Sequence, residues 1–282
     1  MSVPQEYRGQ IALVTGAARG IGLGIARCLA EEGARVLIAD VDNERGSAAV
    51  QSLREAGWIA DFISADLAVS GGAAALIAAA AELAGSIDIL INNARAGRRL
   101  GLLEESEDNW DLAVDVGLKS AFFASQATIK LMAERGGCRI VNIASVAALQ
   151  VTNESPAYHA SKAGLLQLTK YLAVAGGPLH ARVNGVLPGL IVQDEHRARF
   201  DSADNAAYRA LTARYQPLGD VGSERDVAEA VLYLCSERAR YVSGTCIVLD
   251  GAATAQEPFG LLLRQPTSMQ PREFNIKDGS ST

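Results

Sequence analysis

The chain reads as an α/β protein, a Rossmann-type doubly wound sheet of seven parallel strands with helices on both faces. Three observations carry that reading. Short runs rich in Val, Ile and Leu alternate with longer Ala-rich segments of helical spacing. The strand runs are apolar throughout rather than alternating, as strands covered on both faces must be. A glycine-rich turn follows the first run directly.

Taken in order, strands are predicted at 11–14, 35–39, 59–64, 87–91, 139–143, 181–187 and 245–249. Each is long enough for a strand and too short for a helix. The segments between them have helical spacing, which supplies the right-handed crossovers that parallel neighbours need. The longest helices are predicted at about 107–134 and 156–175, the first with Trp110, Val114, Leu118 and Phe122 on one face. No internal repeat or linker divides the chain, so 1–251 is expected to be a single nucleotide-binding domain. After Gly251 the pattern stops. Residues 252–282, with Pro258, Pro266 and Pro271, read as a surface arm or subunit contact whose last ten residues are expected to be disordered.

Composition narrows the function. Of 282 residues, 49% are hydrophobic and 21% charged, and the mean hydropathy is +0.12, which supplies a large core and excludes a disordered or collagen-like chain. The 26 basic and 32 acidic side chains leave a net charge of −6, so no basic field draws in a nucleic acid. Cys28, Cys138, Cys235 and Cys246 lie far apart with no CxxC pair and read as free thiols of a reducing compartment. The segment MSVPQEYRGQ has no apolar signal region, and no charge-free apolar stretch reaches the roughly 18 residues of a membrane span. A cytoplasmic protein without a membrane partner is expected.

The turn Thr15-Gly16-Ala17-Ala18-Arg19-Gly20-Ile21-Gly22 joins a strand to a helix. Glycines there let backbone N–H groups approach a pyrophosphate, and the helix N-terminus adds partial positive charge. The spacing G-x-x-x-G-x-G is neither the G-x-G-x-x-G fingerprint nor a Walker loop, and alone it fits a plain tight connection as well. Asp40, at the end of the second strand, tips the balance. A carboxylate there accepts both ribose hydroxyls of an adenosine and repels a 2′-phosphate, which favours NAD over NADP. Arg45, further along, reads as solvent-facing.

With these landmarks the chain resembles the short-chain dehydrogenase/reductase family, in its group of single-domain subunits of about 250 residues. The likeness runs over about 8–251. It is carried by TGAARGIG at 15–22, Asp66-Leu67, Asn92-Asn93-Ala94, Ser145, Tyr158-x-x-x-Lys162, Arg182-Val183-Asn184 and Pro188-Gly189. It continues through Pro217-Leu218-Gly219, Asp226-Val227-Ala228, Val242-Ser243-Gly244-Thr245 and Asp250-Gly251. A lone YxxxK is weak, but the ordered set is specific.

Tyr158 and Lys162, four apart on a predicted helix, share one face. A lysine ammonium and a positive nicotinamide ring favour the phenolate, lowering the tyrosine from its usual pKa of roughly 10 toward working pH. Such a tyrosine is a general base for alcohol oxidation and a general acid for ketone reduction. The resemblance implies that Ser145 holds the substrate oxygen and that Lys162 bridges the ribose hydroxyls. It also implies a cofactor site of Gly16, Arg19, Gly20, Ile21, Gly22, Asp40, Asp66, Leu67, Asn92, Tyr158, Lys162, Pro188, Gly189 and Ile191. Leu67 and Ile191 have a plain core reading beside it. A homotetramer or homodimer is implied as well, with the helices near 107–134 and 156–175 at one interface and 224–251 at another.

Three positions depart from the family pattern. Gly117 stands where the family has a catalytic asparagine that bends its helix and holds a proton-relaying water. Glycine keeps the bend and offers no amide. Arg95 replaces the glycine of NNAG, and Gln193 the threonine after PGxIx. Arg95, Arg98 and Arg99 share a loop at the edge where ligands of doubly wound sheets bind, so they read either as a carboxylate or phosphate site or as a solvated loop. The segment 190–215 is the expected substrate lid. Its polar content, with Gln193, Asp194, Glu195, His196, Arg197 and Arg199, leans toward a polar substrate. His196 reads as a surface or substrate contact, since no second ligand lies at metal spacing.

The expectation is therefore an NAD-dependent oxidoreductase that moves a hydride between nicotinamide and a secondary alcohol or ketone. Two alternatives stand beside it. One is a catalytically weak NAD-binding member serving as sensor or scaffold, and the other a non-redox dehydratase or epimerase.

Overall fold

A computed structural model describes residues 5–257 and 260. The arm expected at 252–282 lies outside the described residues except at 252–257 and 260. The seven strands are β1 (Ile11–Thr15), β2 (Arg35–Asp40), β3 (Ala60–Ser64), β4 (Ile89–Asn92), β5 (Arg139–Ile143), β6 (Arg182–Pro188) and β7 (Cys246–Leu249). They form one parallel sheet in the order β3-β2-β1-β4-β5-β6-β7. The order reverses between β1 and β4, and that switch point opens the crevice where this kind of sheet binds ligands. The predicted strands are all present with small shifts at their ends. Ile59 falls outside β3 and is largely exposed.

One face of the sheet is covered by α1 (Gly20–Glu31), α2 (Asn43–Glu55) and α9 (Glu224–Cys235), which bury Val14, Ile38, Ile91 and Val186. The other carries α3 (Gly72–Ala84), α4 (Glu107–Val114), α5 (Ser120–Met132) and α6 (Pro156–Gly176), over Leu13, Leu37, Leu90 and Ile140. Alternate residues of each strand thus point to opposite cores, which is why the runs are apolar without a break. Ser223 and Asp226 form a capping box that starts α9, and Ser155 caps α6 with Pro156 in its first turn. Between β6 and α9 lie α7 (Asp194–Asp201) and α8 (Ala206–Tyr215).

The helix expected at 107–134 is interrupted. A π turn at Asp115–Lys119 separates α4 from α5, with Gly117 at its centre. Asn109, Ala113, Gly117, Ala121, Ala124, Ser125 and Thr128 are buried along this segment together with Val116, Ile129 and Met132. Of the apolar stripe, Trp110 is 41% exposed and Val114 half-buried, while Leu118 and Phe122 pack partly on the cores.

Candidate active site

The glycine turn is a contact between backbones. Gly16 and Gly20 have φ of +62° and +58°, the left-handed region that favours glycine. A Cβ on Gly16 would lie 2.7 Å from Cα of Ala94, and one on Gly22 2.4 Å from the Gly16 carbonyl oxygen. Asn93 binds the end of β4 to the turn, its Nδ2 donating to the carbonyls of Thr15 and Gly16 at 2.9 Å. Thr15 Oγ1 accepts the N–H groups of Asn93 and Ala94 at 3.1 Å. Helix α1 starts at Gly20 with neither a side-chain cap nor an acid in its first turn, so its N–H groups and dipole are open to an anion. A closely packed glycine turn leading into a helix N-terminus that has no side-chain cap fits the diphosphate of a dinucleotide. Ile21 packs against the core beneath it.

Asp40, the last residue of β2, aims its carboxylate at this turn. Its two oxygens accept the N–H groups of Ala18 and Asp42 at 3.0 and 3.1 Å. Arg45 pairs with Asp42, 3.7 Å away, and does not reach Asp40. Arg19 is turned toward α7, where its guanidinium meets Glu195 at 3.1 Å. Two further contacts hold the start of α7 to the first helix and to α9: Arg27 pairs with Asp194 at 3.5 Å, and buried Glu224 accepts the Asp194 N–H at 3.3 Å. Burial pushes the Glu224 carboxyl up, with Asp194 adding to the shift. The Gln193 amide lies over the turn, its Oε1 2.6 Å from where a Cβ on Gly20 would stand. His196 is exposed, 3.7 Å from Glu195.

At the end of β5, Ser145 caps a short helical turn, its Oγ accepting the Ala147 N–H at 3.1 Å. Tyr158 and Lys162 rise from the first turns of α6, and the lysine Nζ stands 5.6 Å from the tyrosine ring centroid. Lys162 is buried and donates to the Ile143 carbonyl at 2.7 Å. Burial, followed by the charge of Arg95, pushes its amine down to about 7. The lowering expected of Tyr158 involves the positive nicotinamide ring as well as the lysine; in the chain alone burial dominates. Burial holds the Tyr158 phenol above its ordinary value, against hydrogen bonding from Ser145 and the charges of Arg95 and Arg99. A lysine that is itself half neutral gives less support to a phenolate than a fixed cation would.

The Arg95 guanidinium lies over the same ring, 5.7 Å from its centroid. Arg99 is paired with Glu154, and the Arg98 backbone N–H donates to Asn109 Oδ1 at 2.6 Å. Gly117 is pressed against α6, where a Cβ would fall 2.5 Å from Ser161 Oγ, a buried hydroxyl with no hydrogen-bond partner among the described residues.

The other sequence-predicted positions divide. Asn92 is turned inward, its Nδ2 donating to Asn142 Oδ1 at 2.8 Å and Ser125 Oγ at 3.0 Å, so it offers the crevice its backbone only. Asp66 is exposed beyond β3 and accepts the Ala68 N–H. Leu67 and Ile191 pack partly on the two cores, and Ile191 also bridges to Gly222. Pro188 ends β6, and Gly189 lies so close to Asp250 that a Cβ would stand 2.7 Å from that side chain. Sequence reasoning passed over Thr15 and Asn93 as holders of the turn, although both sit inside the motifs. Glu195 and Glu224 carried no local signal.

A doubly wound sheet with an anion cradle at its switch point and a Ser, Tyr and Lys cluster at its C-terminal edge defines a dinucleotide-dependent oxidoreductase. The comparisons agree. A family model described as Enoyl-(Acyl carrier protein) reductase matches residues 16–254. L-rhamnose 1-dehydrogenase (NAD(P)(+)) of Azotobacter vinelandii is 37% identical over 244 residues, 85% of this chain and 94% of that one. Human dehydrogenase/reductase SDR family member 4 is 32% identical over 248 residues, 88% of each chain. The crystal structure of a gluconate 5-dehydrogenase from Burkholderia cenocepacia in complex with NADP and tartrate has a TM-score of 0.81 and 31% identity, over 90% of this chain and 98% of that one. A 3-oxoacyl (acyl-carrier-protein) reductase from Agrobacterium tumefaciens with NADP bound also gives 0.81, at 29% identity over 88% and 95%. The chain belongs to the short-chain dehydrogenase/reductase family and is an oxidoreductase of that family.

Proposed function

We propose that the chain is an NAD-dependent dehydrogenase or reductase that moves a hydride between nicotinamide and the carbinol carbon of a small, polar or anionic secondary alcohol, or its ketone. One juxtaposition carries the reading: Tyr158, with Lys162 and Ser145 against it, stands at the same sheet edge as the glycine cradle and Asp40. When bound, the oxidised cofactor supplies the hydride acceptor and a positive ring beside the phenol. The rest falls to the chain. Ser145 Oγ orients the substrate oxygen, and Tyr158 takes its proton in oxidation or returns one in reduction. Lys162, held by Ile143, supports the phenolate and would hold the ribose hydroxyls. Asp66 and Leu67 would flank the adenine, and the backbones of Asn92, Pro188, Gly189 and Ile191 would line the nicotinamide side.

Asp40 supports NAD over NADP. A carboxylate has about four lone-pair sites, so after accepting two backbone N–H groups it still has capacity for ribose hydroxyls, and its charge opposes a 2′-phosphate. NADP is the rival, since both solved relatives hold it. The names of the rhamnose and gluconate enzymes agree with a polar substrate.

Fluorescence titration with NADH and NADPH, repeated on Asp40→Ala, tests the reading. NADH is expected to bind more tightly in the parent, and the variant to lose about tenfold of that affinity, as for one charge-assisted hydrogen-bonding group. Tyr158→Phe is expected to keep NADH binding and to lower turnover by about 10²- to 10⁴-fold. Binding of neither nucleotide below millimolar concentration overturns the proposal. Gly117 favours a second reading, a catalytically weak chain that holds NAD as a sensor or scaffold. Tight NADH binding with no turnover across an alcohol and ketone panel selects it.

A further inference from the structure

The surroundings of Tyr158 are strongly one-signed. Lys162 and Arg95 both lie within 6 Å of its ring centroid, at 5.6 and 5.7 Å. Glu154, an acid whose charge acts on Tyr158, is paired with Arg99. Arg95 has no ion pair among the described residues, and its side chain reaches solvent. An exposed guanidinium is normally stabilised by water or a surface acid. This one is instead laid across the aromatic face of the group proposed to move the proton. The family places a glycine at this position, so the charge is a feature of this chain.

We propose that Arg95 is the carboxylate anchor of the substrate, and that the substrate is a small 2- or 3-hydroxy acid or the matching keto acid. The inference rests on the oxidoreductase reading above. A guanidinium fork takes a carboxylate through two parallel N–H···O bonds. Because the guanidinium stands over the phenol ring, 5.7 Å from its centroid, a carboxylate about one or two carbons from the carbinol can sit on Arg95 while the carbinol oxygen stays at Tyr158. Oxidation then removes the carbinol hydrogen as a hydride, taken up by the oxidised nicotinamide, and the hydroxyl proton, taken up by the Tyr158 oxygen. A C=O bond forms and the carboxylate is unchanged. Docking of an anion also offsets one of the two influences that hold the Lys162 amine down, so substrate binding returns charge to the lysine when the phenol needs it.

The test pairs acids with neutral counterparts of similar size: 3-hydroxybutyrate with its methyl ester, and gluconate with glucitol. The full chain is assayed with NAD, as parent, Arg95→Gly and Arg95→Lys, with thermal melts to check folding. The acid is expected to be preferred in the parent. In Arg95→Gly the acid-to-neutral ratio of kcat/KM is expected to fall about 10- to 100-fold, chiefly through KM, and Arg95→Lys to recover part of it. A second arm needs no turnover: calorimetric titration of the NADH complex with tartrate, malate and 3-hydroxybutyrate, expected to show binding that Arg95→Gly abolishes. A ratio unchanged by Arg95→Gly, whatever the absolute rates, overturns the anchor and leaves Arg95 acting on Tyr158 alone. Absence of binding by all three acids overturns it as well. If no alcohol or ketone turns over at all, the oxidoreductase reading fails separately and the calorimetric arm still decides the anchor.

Discussion

Lys162 is the residue on which the pH behaviour turns. Its amine is buried, accepted by the Ile143 carbonyl and pushed down to about 7, while the Tyr158 phenol is held above its ordinary value by burial. Alcohol oxidation needs the tyrosine as base, so its kcat/KM is expected to climb through the neutral range and on into alkali. Ketone reduction needs the protonated phenol and is expected to stay level until the phenol ionises, then fall. As pH rises past the lysine value, the amine loses charge and withdraws support from the phenolate, which keeps the phenol protonated longer and delays both changes. Rate profiles in the two directions from about pH 6 to 10 check this, and an oxidation profile already flat at neutrality would contradict it. The pairing of Tyr158 and Lys162 was legible in the sequence, because helical spacing brings them to one face, whereas Ser145 came from the resemblance alone. How strongly burial acts on the phenol was not legible, because burial is set by the fold around it.

At the scale of elements, the start of α7 is seated on the glycine turn. Gln193 lies over Gly20, Glu195 holds Arg19, and Arg27 and Glu224 take Asp194. Arg19 is thereby turned toward Glu195 rather than toward the cradle. Glu195→Ala is expected to free it and to raise NADPH affinity relative to NADH by up to about 5-fold, the range of an exposed ion pair, in the same fluorescence titration. A ratio that does not move would mean that Arg19 plays no part in nucleotide choice. The strand order and the turn could be read from apolar runs and glycine spacing, which are local signals. The seat of α7 could not, since Gln193 and Glu195 are far from Gly20 and Arg19 in sequence and only the sheet brings them together. The stripe from Trp110 to Phe122 divides: Trp110 is exposed, while Leu118 and Phe122 pack partly on the cores beside a seam of Ala, Gly and Ser. Gly117 belongs to that small-residue seam, and Ser161 already occupies the space a side chain there would need.

At the scale of the molecule, several large apolar side chains are exposed among the described residues. Trp110, Phe123, Tyr171 and Val174 are exposed along α4, α5 and α6, and Val174 is 80% exposed. A run of large apolar side chains on adjacent helices supports burial against further copies of the chain. Light scattering is expected to give about four times the 29.6 kDa chain mass, and charged substitutions at Tyr171 and Val174 together are expected to lower it. Twice the chain mass would select the homodimer that the resemblance also implies, and a monomer at micromolar concentration would remove both. No helix among the described residues is long and apolar enough to cross a membrane. The last feature concerns α1 and α9, which pack side by side, α1 over β1 and β2 and α9 over β5 and β6, with Glu224 pressed on Gly24. During translation the first helix emerges early and its cover near the end, so a growing chain displays the apolar side of α1 until most of its codons have been read. Its passage off the ribosome is therefore a long interval of sticky exposure, and a stretch that chaperones would attend.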